Sequence, residues 1–140
     1  MAPRVEELAP GQAIPELAKV VTREDVAAYA EASGDRNPLH LDDAFARSVG
    51  FPGVIAHGMF TMAHLARCLT RWAGDPAALR RLRVQFRAPV LLGETIVAGG
   101  TVRSVDPLAR RVLLDVWVRV ERDGRAEDAI RRGEAEIALD

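Results

Sequence analysis

The chain has 140 residues, a formal net charge of -1, 49% hydrophobic residues and 28% charged ones. That is enough chain and apolar material for one domain with a proper core, and the wrong balance for a disordered segment or a dedicated nucleic-acid binder. A single cysteine, Cys68, excludes an internal disulfide framework and a cysteine-built zinc or iron–sulfur site.

The first residues show no basic-then-apolar run, and the least polar stretch, Phe51 to Ala66, is interrupted by His57 and His64. The expectation is a single domain over 1–140 that is cytoplasmic, without a secretory signal or a membrane contact. Gly11 to Val21 reads as a leading strand that Pro15 confines to a sheet edge. Thr22 can cap a helix whose first turn carries Glu24 and Asp25, whose apolar stripe is Val26, Tyr29 and Ala30, and which Gly34 stops. From Gly34 to Gly58 the chain is irregular and rich in Gly, Pro, Asp and Asn, with a short helix expected from Asp43 to Val49.

A second long helix is expected from about Gly58 to Trp72. It is apolar nearly all round up to Ala66, which predicts burial on most sides; Arg67 and Arg71 suit its negative end and Gly74 stops it. The remainder alternates like strands with one buried face. Leu82, Val84 and Phe86 form one inward set, Val112, Leu114, Val116, Val118 and Val120 another, and Ala135, Ile137 and Leu139 a third. Asp106-Pro107 and Asp123-Gly124 mark turns, and Gly99-Gly100 suggests a bulge or bend. The predicted class is α+β: a curved antiparallel sheet wrapped around one long central helix; if the sheet leaves an open edge, edge-to-edge pairing would give a dimer.

Two segments can carry chemistry. In Ser33-Gly-Asp-Arg-Asn-Pro-Leu-His40 a carboxylate and an imidazole stand five positions apart on a chain forced to turn. Asp35 and His40 can then face one point as an acid–base pair, although the same residues are also ordinary turn chemistry. In Ala56-His-Gly-Met59 the glycine opens a helix whose first N–H groups are unpaired, which suits a developing oxyanion; it also permits tight packing. His57 can shape the entrance to that glycine, whereas His64 and Cys68 read as buried packing residues. Neither His57 nor His64 has a Cys or carboxylate spaced in sequence to complete a metal site, so none is expected. Arg80, Arg81, Arg83 and Arg87 either contact phosphates or an acidic carrier surface, or form a solvated strand face.

The string Tyr29-Ala-Glu-Ala-Ser-Gly-Asp-Arg-Asn-Pro-Leu-His40, followed by Phe51-Pro-Gly-Val-Ile-Ala-His-Gly-Met59, resembles the MaoC-like (R)-specific enoyl-thioester hydratases and dehydratases, which are hot dog fold proteins. Trp72-Ala-Gly-Asp-Pro76 and Val102-Arg-Ser-Val-Asp-Pro107 are similar to the catalytic β subunit of actinobacterial (3R)-hydroxyacyl-carrier-protein dehydratases. The resemblance implies Asp35 and His40 as the catalytic pair, Asn37 as the residue holding their loop, and the Gly58 N–H as the thioester oxygen's donor. It implies no metal or cofactor. The substrate would be an acyl thioester of coenzyme A or acyl-carrier protein, and the partner a second copy or a related hot dog subunit. Several relatives carry a serine early in the central helix; here Ala63 stands at that place, with Thr61 two residues before it.

Two rivals are a thioesterase and a non-catalytic acyl-binding subunit. The former would use a carboxylate on or near the central helix, and none lies between Val54 and Trp72; the latter would have lost the Asp/His pair, which this chain keeps.

Overall fold

A capping box starts the first helix of the computed structural model, which describes residues 2–140. The Thr22 hydroxyl accepts from the Asp25 amide at 3.1 Å, and the Asp25 carboxylate accepts from the Thr22 amide at 3.1 Å. The eight elements run β1 (Leu17–Val20), α1 (Arg23–Ser33), α2 (Asp43–Ser48), α3 (Gly58–Ala73), β2 (Leu79–Phe86), β3 (Thr95–Asp106), β4 (Arg111–Arg122) and β5 (Arg125–Ala138). All strand pairs are antiparallel, in the order β1-β3-β4-β5-β2. Helix α3 lies across the inner face of that sheet against β2 to β5, the α+β arrangement expected.

Alternation decides which side chains enter the core. Val112, Leu114, Val116, Val118 and Val120 of β4 are all buried, as are Ala135, Ile137 and Leu139. They meet Leu65, Cys68 and Leu69 from α3. Asp123 and Gly124 form a two-residue hairpin with φ of 51° and 73°, the mirror-type turn that suits twisted strands. Gly34 and Gly74 end α1 and α3 in the left-handed conformation, each amide bonding back four residues.

Four expectations are corrected. The leading strand is Leu17–Val20, not Gly11 to Val21; upstream of it Ala13 makes only an isolated bridge to Thr101, because Pro15 has no N–H to continue a ladder. It is nonetheless an edge strand. Helix α3 buries one stripe rather than most of its circumference: Met59 is 55% exposed, and Ala63 and Arg67 face out, since the sheet covers only one side. Gly99-Gly100 is not a bulge, for its register with Trp117 and Val116 is continuous and the shift falls between Val102 and Ser104. A Cβ on Gly99 would stand 2.5 Å from the Trp117 ring, so that glycine makes room for the indole. Phe86, expected inside, is 50% exposed at the end of the edge strand β2. Among the described residues, no helix is long and apolar enough to cross a membrane.

Candidate active site

A relay of short-range hydrogen bonds folds the segment after α1. The Ser33 hydroxyl accepts from the Asp35 amide at 3.1 Å, the Asp35 carboxylate from the Asn37 amide at 3.2 Å, and the Asn37 side chain from the Leu39 amide at 3.0 Å. Each is a two-residue side-chain-to-backbone closure, the conformation such residues favour in turns. Pro38 then opens a single 3-10 turn over Pro38–His40, with Asn37 held at ψ 129° as a residue before proline prefers. Asn37 thus links the Asp35 carboxylate to the Leu39 amide within the turn.

The turn swings His40 under the loop leading into α3. Its Nδ1 lies 2.7 Å from the Ile55 carbonyl oxygen. A carbonyl can only accept, so Nδ1 carries the proton, and Nε2 of the neutral ring is left with its lone pair. That Nε2 faces Asp35 Oδ2 at 4.0 Å. The spacing exceeds a direct hydrogen bond and suits one water molecule touching both atoms. His40 is 11% exposed at its side chain and Asp35 is 54%, so the pair joins an enclosed base to an accessible carboxylate.

His57 has a larger part than the sequence suggested. Its Nε2–H donates to the Asp35 backbone oxygen at 2.9 Å, and its ring stacks on His40 with centroids 3.8 Å apart and planes 23° from parallel. Tyr29 of α1 meets the His57 ring edge-on at 4.9 Å. His57 is 2% exposed, and its Nδ1 is buried without a hydrogen-bond partner. One buried ring therefore braces both members of the pair.

The expectation that no carboxylate completes a cluster around His57 is also corrected. Folding brings Asp35, His40 and His57 within 4.8 Å of one another, a group of metal-ligand composition. The sequence gap from Asp35 to His57 hid it. His40 Nδ1 and His57 Nε2 are committed to carbonyls, which leaves one ring nitrogen free on each histidine.

Gly58 follows His57 directly and opens α3. The carbonyl of His57 accepts from the Phe60 and Thr61 amides at 3.0 and 3.3 Å, which leaves the Gly58 N–H outside the helix's own bonding. A Cβ at Gly58 would stand 3.2 Å from the Phe86 ring, so the glycine keeps this helix tip open beside the aromatic. Gly58, Thr61, Phe51, Ile55, Phe86 and Val90 line part of a cavity of about 260 Å³. Thr61 is thus brought to the helix tip, whereas Ala63 faces solvent.

Asp43 is a residue the sequence reading missed. Its Oδ1 accepts from the Val54 amide at 2.9 Å and its Oδ2 from Arg23 at 2.8 Å, tying α1, α2 and the Ile55 segment together. The Val54 amide first, and then Arg23, hold its carboxyl below the usual range. The aspartate-rich start of α2 was visible, but nothing local told which aspartate reaches eleven residues ahead. His64 donates to the Leu17 carbonyl at 2.9 Å and stays apart from the site, as expected; burial pushes its pKa down. Cys68 is buried, and that burial pushes its thiol up to about 11.

The chain matches the model of the MaoC like domain over residues 7–122. It is 37% identical over 115 residues to 3-hydroxybutyryl-CoA dehydratase of Methylorubrum extorquens, covering 79% of this chain and 73% of that protein. It is 34% identical over 103 residues to the (R)-specific enoyl-CoA hydratase of Rhodospirillum rubrum, covering 73% of this chain and 71% of that one. Among solved structures, the (R)-hydratase from A. caviae involved in PHA biosynthesis superposes with a TM-score of 0.85 at 28% identity, over 96% of this chain and 99% of that one. Matching in sequence over most of its length and in fold over nearly all of it, the chain belongs to the MaoC-like dehydratase family of hot dog proteins.

Proposed function

We propose that the protein is a hydro-lyase that interconverts trans-2-enoyl and (3R)-3-hydroxyacyl thioesters. The single observation that carries this reading is the Asp35–His40 pair, with Nε2 left as a base 4.0 Å from a carboxylate oxygen and braced on a ring one residue from the Gly58 amide. Relatives named as CoA dehydratases and hydratases, and one named as an acyl-carrier-protein dehydratase, support the substrate class.

In the hydration direction a water held by His40 Nε2 and Asp35 Oδ2 loses a proton to the pair as its oxygen bonds to C3. The electron pair of the C2–C3 double bond moves toward the thioester oxygen, where the Gly58 N–H meets the charge. The proton is then returned to C2, and dehydration runs the same steps in reverse. Acid–base groups contribute about 10²–10⁴ in rate, and one oxyanion donor about 10²–10³. No carboxylate stands on α3 to serve a thioesterase, which favours water addition over thioester cleavage.

We further propose that two subunits associate, either two copies or this chain with a related hot dog subunit. The open β2 edge and the half-exposed Met59 and Phe86 beside the helix tip supply unpaired backbone and apolar surface. The experiment is loss of enoyl absorbance with crotonyl-CoA and with crotonyl carrier protein, alongside thiol release and native mass. Absorbance loss without thiol release is expected; thiol release alone would establish the thioesterase instead.

A further inference from the structure

Residues 54–56 run between two neighbours and are bonded to both. On one side Ile55 meets the His40 turn: its amide donates to the Leu39 carbonyl at 3.3 Å, and its carbonyl accepts from His40 Nδ1 at 2.7 Å. On the other side the Ala56 amide donates to the Val90 carbonyl at 2.8 Å, and Ile55 forms an isolated antiparallel bridge with Leu91. Gly58 follows two residues after Ala56. The backing for both the His40 base and the helix-tip amide is therefore the connection between β2 and β3.

That connection, residues 87–94, has no regular structure beyond the single bridge. Backbone bonds tie its ends: the Ala88 amide donates to the Asp128 carbonyl at 3.0 Å, and the Gly93 amide to the Val21 carbonyl at 2.7 Å. Between those ends one guanidinium supplies the anchor. Arg122, the last residue of β4, forks the Glu94 carboxylate, with Nε on one oxygen at 2.6 Å and Nη2 on the other at 2.8 Å. The same Nη2 donates to the Pro89 carbonyl at 2.9 Å. Glu94 in turn accepts from the Leu91 amide at 2.7 Å. The two side chains are only 26% and 14% exposed, and a charge-assisted fork of this kind is short and directional. Burial by itself would raise the Glu94 carboxyl; Arg122 and then the Leu91 amide hold it below the usual range. The remaining partner of Arg122, Glu127 at 3.1 Å, stands on β5 outside the connection.

We propose that Arg122 is a positioning residue for the hydration reaction. It touches no reacting atom; it fixes the connection against which the Ile55 carbonyl and the Gly58 amide are aligned. The proposal rests on the hydratase reading and adds to it a residue outside the active site. Without the fork, Pro89 and Leu91 lose their side-chain anchors, and the Val90 carbonyl can drift from the Ala56 amide. Ile55 then no longer holds the His40 proton on Nδ1. The ring samples both tautomers, and Nε2 is free as a base for only part of the time.

The test measures kcat and KM on crotonyl-CoA or crotonyl carrier protein, together with the two ring-nitrogen chemical shifts of His40 in histidine-labelled protein, assigned against His40→Ala. Arg122→Gln is expected to lower kcat roughly tenfold, to leave KM within about twofold, and to move the His40 shifts toward a mixture of tautomers. Arg122→Lys keeps the charge but cannot fork Glu94 and reach Pro89 at once, so it recovers only part of kcat. Glu127→Gln removes the partner outside the connection and leaves kcat and the His40 shifts at their wild-type values. Unchanged kcat per folded molecule in Arg122→Gln overturns the proposal, as does a loss of kcat with the His40 shifts unmoved, or an equal loss in Glu127→Gln. Each of these leaves the hydratase reading standing, because the wild type still adds water. A wild type that hydrates neither thioester overturns both. Should Arg122→Gln fail to fold, Arg122→Lys makes the same comparison.

Discussion

The sheet formed by β3, β4 and β5 and the loop from Gly34 to His57 are held together in opposite ways. In the sheet, backbone pairs with backbone and the inward side chains, alternating along β4, are apolar and buried. In the loop, side chains of Ser33, Asp35, Asn37, Asp42 and Asp43 take up the backbone amides, and nearly every residue before His40 is exposed. Stability is concentrated in the first region and chemistry in the second. The two should therefore respond to mutation along separate axes.

The largest expected effects are on the loop's chemistry. Asp35→Asn and His40→Ala each should reduce turnover by about 10²–10⁴ while the melting transition stays near that of the wild type. A melting loss matching the activity loss would erase the contrast. Leu114→Ala in β4 should do the reverse, costing about 2–5 kcal/mol in denaturant unfolding with unchanged activity per folded molecule.

Asp43→Ala sharpens the comparison, since Asp43 supports the site without touching the reacting atoms. Freed from Val54, the segment carrying the Ile55 carbonyl no longer fixes His40, and activity should fall roughly tenfold, a fraction of what misplacement by about 1 Å can cost. Asp43→Asn, which keeps an acceptor for the Val54 amide, should recover part of it. Equal activity of both variants and the wild type would remove Asp43 from the account.

The smallest effect is on pH. Burial is the main cause lowering the His64 pKa; the Leu17 carbonyl opposes it, and the charges of Lys19 and Arg67 add to it. The unfolded chain then binds the proton more readily than the folded one, so the stabilisation is full above the ordinary value of about 6.5 and is lost as pH falls from there toward the lowered folded value. Melting temperature should drop as pH falls below about 6.5 in the wild type and drop less in His64→Gln. The same slope in both would contradict it.

The sheet was legible in the sequence because alternation is a local signal: the inward sets of β4 and β5 follow from reading every second residue. The ends of α1 and α3 were legible for the same reason, through Thr22, Gly34 and Gly74. The candidate pair was visible as Asp35 and His40, five residues apart in a turn. What escaped were contacts fixed by tertiary folding: His57 stacked on His40 from seventeen positions away, Asp43 reaching Val54, and the shift of the bulge from Gly99-Gly100 to the stretch between Val102 and Ser104. The exposed side of α3 escaped as well, because an apolar helix sequence reports a preference for burial and not which surface covers it.

The central claim is that Asp35 and His40 add water to one face of an enoyl thioester. Chiral analysis of the product from crotonyl-CoA, or from crotonyl carrier protein, tests it most directly, with Asp35→Asn run in parallel. The account predicts (3R)-3-hydroxybutyryl thioester from the wild type and almost none from the variant. A (3S) product, or a variant as active as the wild type, would contradict it.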